Sequence, residues 1–426
     1  MNEKLLQFIW QFQYFNKNDL AAVDGSSLTI MHPGQFNHNQ GPDFSEAKIK
    51  LNNTTWVGNI EIHIQASHWH THHHTNDANY SNIILHVVWI NDAPIKDANQ
   101  QSLATLELQH LVPKIMLQQY EQLMNAKGFV PCENYLPVLS EVSWLAWKER
   151  LMAERLQRKA AAVITNLQQA NNHWKEVFWW MLAKNFGAKV NATVFEQMAR
   201  SIPVNILAKH KGQVNQLEAL LFGQAGLLNE NFNEDYPKLL QREYKFLSNK
   251  YQLKAINKAP DFLRMRPANF PTIRLAQLAV LVYQSTHLFS RILEMNNIDD
   301  LRKLLDVTAN DYWHYHYRLD EPATYKPKNL GNLMTDNLII NTVVPVLFAY
   351  AIYHNTQQWK DKAIFYLMQL SPEQNIITKE WKRHNIVNEN ALDSQALIEL
   401  KNNYCDHKYC LKCAVGNKLL KSNNKV

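Results

Sequence analysis

The chain has 426 residues, 46% of them hydrophobic, with 12 Trp, 17 Tyr and 17 Phe against only 11 Gly and 15 Pro; this supplies globular cores and excludes a mainly disordered chain. So long a chain exceeds one ordinary core, and two or three domains are expected. The net charge of +6 is unevenly spread: residues 1–130 hold 11 Asp/Glu against 7 Lys and no Arg, a net of −4, while the remainder holds 37 Lys/Arg against 27 Asp/Glu, a net of +10. Ten of the 18 histidines precede residue 111. An acidic, His-rich first part suits cations, and a basic second part suits a polyanionic partner. The start, MNEKLLQFIWQFQYF, carries Glu3 and a mixed polar pattern unlike a signal peptide. The most apolar run, Leu338 to Tyr353, is broken by Asn341, Thr342 and Pro345 and reads as too short to span a bilayer. A cytoplasmic protein without a membrane span is expected, and four cysteines do not suggest a disulfide scaffold.

Residues 3–14 predict a helix from the spacing of Leu5, Leu6, Ile9 and Phe12. Asp24-Gly25 predicts a turn, and Leu28 to His32 a strand. SEAKIKL alternates Ala47, Ile49 and Leu51 with lysines, the period of a half-buried strand. After the NNTT turn, WVGNIEIHI places Ile60, Ile62 and Ile64 on one face and Glu61 and His63 on the other. NIILHVVWI reads as a central strand and LATLEL as a fifth. Beyond Pro113, segments such as WLAWKERLMAERLQRKAAAVITNL and RLAQLAVLVYQSTHLFSRILEM have helical spacing, and helices continue to about residue 400. The expected class is therefore α+β: an α/β sandwich over 1–112, a larger all-α domain over 113–400, and a Cys cluster with a basic tail over 401–426. Within the helical part RPANFPTIR, from Arg266 to Arg274, reads as a proline-fixed loop whose arginines either meet phosphate or cap a helix.

Three groups of residues carry chemistry. Asp43, after Gly41-Pro42, opens one strand, and Glu61 lies on the next. A hairpin turning about Asn52 to Thr55 puts position 43 opposite roughly 64, within reach of Glu61. Paired carboxylates suit Mg²⁺ or Mn²⁺, and His63, two residues past Glu61 on the same face, is placed to orient or deprotonate a water. Read blandly, Asp43 caps a turn and Glu61 is a solvated strand residue. The second group is His68, His70, His72, His73 and His74 with Asp77, where strand alternation would put His68, His70 and His72 on one side. His70 is preferred there, because Trp69 can pin the loop to the sheet. The third is YCDHKYCLKC, with Cys405, Cys410 and Cys413; C-x2-C is a metal-ligand spacing. Cys132 in FVPCENY supplies a fourth thiol, or His407 replaces it and favours Zn²⁺.

A helix followed by strands bearing PDF and then EIH resembles the PD-(D/E)XK nuclease superfamily. That resemblance implies Mg²⁺ bound by Asp43 and Glu61, with His63 where a water-assisting lysine is usual. HWHTHH is similar to the WHxH stretch of very-short-patch mismatch endonucleases, which implies a catalytic His70. The Cys set looks like the iron–sulfur staple of some helicase-associated nucleases. GPDFSEAKI, WVGNIEIHI, YSNIILHVVW, RPANFPTIRLAQLA and the terminal C-x4-C-x2-C make nearly the whole chain resemble an uncharacterised bacterial domain-of-unknown-function family. The leading expectation is a metal-dependent nuclease-like protein. Asp43 and Glu61 would be its ligands, His63 and His70 would move protons, and the basic helical part would hold nucleic acid. Cys132, Cys405, Cys410 and Cys413 would hold Zn²⁺ or an iron–sulfur cluster as a structural site. The alternative is a non-catalytic nucleic-acid-binding or scaffold protein that uses metal only for structure.

Overall fold

Asn2 caps the first helix, α1 (Glu3–Phe12), its side chain accepting the Leu5 N–H at 2.9 Å. The helix buries Leu5, Leu6, Phe8, Ile9 and Trp10 and packs against the sheet that follows. The computed structural model describes residues 1–422 apart from His38, Arg264 and Thr286; residues 423–426 of the expected basic tail lie outside the described residues.

The sheet uses β1 (Leu28–His32), β2 (Gln35–Phe36), β3 (Phe44–Leu51), β4 (Thr54–Gln65), β5 (Ile83–Ile90) and β6 (Thr105–Glu107). Their order is β1-β3-β4-β5-β6, with β2 also paired to β3. β1, β3 and β4 are antiparallel neighbours, whereas β4, β5 and β6 run parallel. Alternation gives the sheet two unlike faces. Ile60 and Ile62 of β4, Leu85 and Val87 of β5 and Leu106 of β6 share one face, and all are buried. The register Glu61↔His86 and His63↔Val88 puts Glu61, His63 and His86 together on the other.

The β3–β4 hairpin is tighter than the sequence suggests. Leu51 pairs with Thr54, so the turn holds only Asn52 and Asn53, and Asn52 adopts φ +50°. A bulge between Phe44 and Ala47, where Glu46 has φ +57°, then shifts the register to Phe44↔Ile60. Asp43 therefore arrives beside Glu61 and not opposite residue 64.

Parallel strands cannot be joined by a tight turn. The β4–β5 connection is a short helical crossover: α2 (His68–Thr71) followed by 3₁₀ turns at His74–Asn76 and Ala78–Tyr80. Trp69 is its anchor, 1% exposed and packed with Ala66, Val88 and Ile95, and its indole N–H donates to Thr75 Oγ1 at 3.0 Å. Burying that side chain contributes roughly 1.5–3 kcal/mol to holding the crossover on the sheet.

The chain divides into two compact units. The first is Met1–Trp147 with Lys379–Ile386 and Ile398–Val426, and contains the sheet; the second is Lys148–Thr378 with Val387–Leu397. The second is helical around a core that includes Phe186, Phe195, Phe222 and Trp313, apart from one short hairpin, His316–Arg318 with Glu321–Pro322. In it the helical run Asn332–Tyr353 is 22 residues and apolar enough to cross a membrane by composition, longer than the apolar stretch alone indicates. It is mostly buried within the unit, with Leu338, Ile339, Val343 and Leu347 in the core. Arg274 is buried as well, donating to Gln277 Oε1 at 2.9 Å and Asn269 Oδ1 at 2.6 Å, so it fastens its loop and is not offered to phosphate.

At Gly58, β4 runs close against Asn82 and Ile84. A Cβ there would lie 2.5 Å from Ile84 Cγ2 and 2.7 Å from the Asn82 carbonyl oxygen. Gly58→Ala is expected to cost about 1–3 kcal/mol, as overpacking does, read as a lower urea midpoint of the full chain. An unchanged midpoint would contradict the close strand approach.

Candidate metal centre

Asp43 and Glu61 meet through the backbone. The Asp43 N–H donates to Glu61 Oε2 at 3.2 Å, and the Ile62 N–H donates to Asp43 Oδ2 at 3.1 Å. Gln7 of α1 donates through Nε2 to Asp43 Oδ1 at 2.7 Å. Glu61 is 5% exposed. Burial, and for Asp43 next the charge of Glu61, pushes both carboxyls up to about 8.

His63 stands at the middle of a cluster of imidazoles. Its Nδ1 and His86 Nε2 share a hydrogen bond of 2.9 Å, and its Nε2 lies 3.1 Å from His72 Nδ1 and 3.5 Å from Glu61 Oε1. His74 Nε2 is 3.4 Å from the same Glu61 oxygen. One nitrogen from each of His63, His72 and His74 lies within 4.8 Å of the others. Burial and the neighbouring imidazoles lower His63 to about 2; burial and then His74 lower His86 to about 3; and burial lowers His74. These rings are neutral, with lone pairs to give. His74 Nε2 is buried without a hydrogen-bond partner, an arrangement native interiors avoid unless something else completes it.

The crossover brings these residues together. Ser67, just before α2, donates through N–H and Oγ to Asp92 at 2.9 and 2.6 Å. His73 takes the left-handed conformation, φ +59°, and the chain turns there so that both flanking residues reach His63. Tyr80 stacks on His74 with centroids 3.8 Å apart, and Trp69 meets His74 and His86 edge-on or tilted.

Of the residues singled out in the sequence, Asp43, Glu61 and His63 converge. His70 does not join them: it is exposed and lines a depression with His73, Thr75, Pro94, Lys96 and Gln100. The reason is periodicity. Residues 68–71 form a helical turn and not a strand, so His68 pairs with His72, centroids 5.9 Å apart, and His70 points elsewhere. His72 and His74 were within the quoted His run but not preferred in it. His86 was missed, although the pattern NIILHVVWI contains a lone polar residue in a buried strand, and that was the available signal.

A sequence profile decides the relationship of the chain, matching residues 3–376. The chain belongs to the family described as Protein of unknown function (DUF2851). The matched span includes the whole sheet, its crossover and most of the helical unit, and ends before the terminal cysteines. No curated protein and no solved structure matches the chain.

The two carboxyls give a pH test with chelator present. A group whose folded pKa is raised contributes stability that is complete below its unfolded value and lost as pH rises through the folded value. For Asp43 that loss runs from pH near 4 to about 8. Asp43→Asn removes the titration. The variant should melt close to the native protein at pH 4 and above it at pH 9; parallel melting curves across that range would contradict a buried, proton-holding Asp43.

Proposed function

We propose that the sheet-bearing unit is a metal-dependent hydrolase of phosphodiester bonds in nucleic acid. The observation that carries this reading is the convergence of Asp43 and Glu61 with His63, His72 and His74 on two adjoining strands and the crossover that covers them. The donor set is chemically suited to a divalent transition metal. Three imidazole nitrogens and a carboxylate suit Zn²⁺, Mn²⁺ or a similar transition ion better than Mg²⁺, which takes oxygen ligands and keeps its waters. The orphaned His74 Nε2 fits that need. Glu61, His63, His72 and His74 would hold the ion, with Asp43 adjoining. When bound, it would supply Lewis acidity, polarising a phosphate oxygen and lowering the pKa of a water.

The chain's own groups have separable roles. His63 is too buried to act as the charged lysine of the PD-(D/E)XK pattern, so its part is to hold metal. That part requires the tautomer with the proton on Nδ1, which His86 Nε2 accepts, the outer-shell support that ligating histidines usually have. Gln7 and the Ile62 N–H fix Asp43. His72 is the exposed imidazole of the group, its Nδ1 turned to His63.

Nucleic acid as substrate is supported by the net +10 of residues 131–426, since phosphate neutralisation by Lys and Arg dominates such affinity. Four unpaired cysteines suit a reducing cytoplasm.

The test is cleavage of end-labelled DNA and RNA by the full chain loaded with Mn²⁺, Mg²⁺ or Zn²⁺. Glu61→Gln and His74→Ala should each lower Mn²⁺-dependent cleavage by about 10²-fold or more, with the far-ultraviolet circular dichroism unchanged. Cleavage that persists in both variants, or none by the native protein with any of the three ions, would overturn the reading.

A further inference from the structure

The chain has four cysteines, and the fold brings Cys132 into the neighbourhood of the three C-terminal ones, apart from the His-rich centre. Cys132 sits in a loop of the first unit, ahead of the turn Glu133–Tyr135; its carbonyl accepts the Tyr135 N–H at 3.0 Å. The loop is tightened by the Phe129 N–H, which donates to Glu133 Oε2 at 2.8 Å. The other three arrive from the C-terminal end: Cys405 closes the turn Lys401–Cys405, Cys410 opens the turn Cys410–Lys412, and Cys413 follows it.

Independent contacts tie the two segments. The Lys401 ammonium lies 5.3 Å from the centroid of the Phe129 ring, and Lys408 Nζ donates to the Met124 carbonyl. Burial first, and then the neighbouring thiols Cys413 and Cys410, pushes the Cys132 thiol up; burial, then Cys413, Cys132 and Cys410, does the same to Cys405. Cys132, Cys410 and Cys413 are each 7% exposed, and none of the four is in a disulfide. The backbone is shaped around them. The Cys413 N–H donates to the Cys410 carbonyl at 3.2 Å, and a Cβ on Gly416 would fall 2.2 Å from that same oxygen, so only glycine fits there. His407 is exposed beside Tyr409, and no contact joins it to the thiols among the described residues.

We propose that Cys132, Cys405, Cys410 and Cys413 form a four-thiolate metal centre that fastens the C-terminal segment to the loop around Cys132. A C-x2-C pair with two further thiols is a complete soft-ligand set for Zn²⁺ or an iron–sulfur cluster, and leaves no open position for substrate. Among the described residues no three of these thiols lie within 4.8 Å of one another, so a single ion would have to draw them together. One tetrahedral ion with bonds of about 2.3 Å needs sulfurs about 3.8 Å apart. The role is structural: a bound centre would join positions 132 and 405–413, which no disulfide links.

The experiment is metal and acid-labile sulfide analysis of the full chain purified without oxygen, with its visible spectrum and a thiol count by Ellman's reagent before and after unfolding in chelator. Either two or four irons with matching sulfide and a brown band, or one Zn²⁺ in colourless protein, supports the centre and identifies it. Thiols should be silent in the folded protein and number four after unfolding. Cys132→Ser and Cys413→Ser, changes far apart in sequence, should each lose at least nine-tenths of that metal. Should these variants fail to fold, the native protein still decides by its ligand atoms: iron with matching sulfide, or zinc whose X-ray absorption shows sulfur neighbours, supports the centre, whereas zinc with only nitrogen and oxygen neighbours overturns it. Freshly prepared protein with neither metal and four reactive thiols, or full metal content in both variants, overturns the proposal.

Discussion

The parallel pairing of β4 with β5 governs the rest of the first unit. A strand that must restart at the same end as its neighbour needs a covering connection, and here residues 66–82 provide it with little more than three helical turns. Such a short crossover lies close on the sheet, and Trp69 pins it there. The His-rich centre follows from that closeness. The polar face of β4 and β5 would otherwise be open to water; the crossover seals it and delivers His72 and His74 to His63 and Glu61.

Sealing polar groups has an electrostatic cost. Two carboxyls and four imidazoles lie together with no Lys or Arg within salt-bridge distance of Asp43 or Glu61 among the described residues. Burial raises the two carboxyls and lowers His63, His74 and His86, which favours the neutral form of each. A dication would offset the burial of both kinds of group at once, since it draws negative charge to the carboxylates and uses the lone pairs of neutral rings. A purely structural role for the cluster would have been met more cheaply by apolar residues. The same logic, with soft sulfur in place of nitrogen and oxygen, applies to the four thiols.

Much of this was legible in the sequence. Strict alternation identified β3 and β4, and it put Glu61 and His63 on one face because side-chain period in a strand is fixed. The helical spacing beyond Pro113 identified the larger all-α part. What escaped depended on local backbone geometry. The one-residue bulge at Glu46 moved Asp43 along the sheet, and the helical turn at 68–71 replaced strand alternation, which removed His70 and kept His72. His86 was hidden because a histidine in an apolar strand carries no periodic signal. The meeting of Cys132 with cysteines more than 270 residues later rests on tertiary packing that no local pattern encodes.

The central claim is a nitrogen-rich centre at His63. It is tested most directly by X-ray absorption at the manganese edge on the full chain loaded with one equivalent of Mn²⁺. The outer-shell scattering should fit about three imidazole rings, with the remaining ligands oxygen. A first shell of oxygen alone, without imidazole scattering, would contradict the centre and return Mn²⁺ to ordinary carboxylate binding.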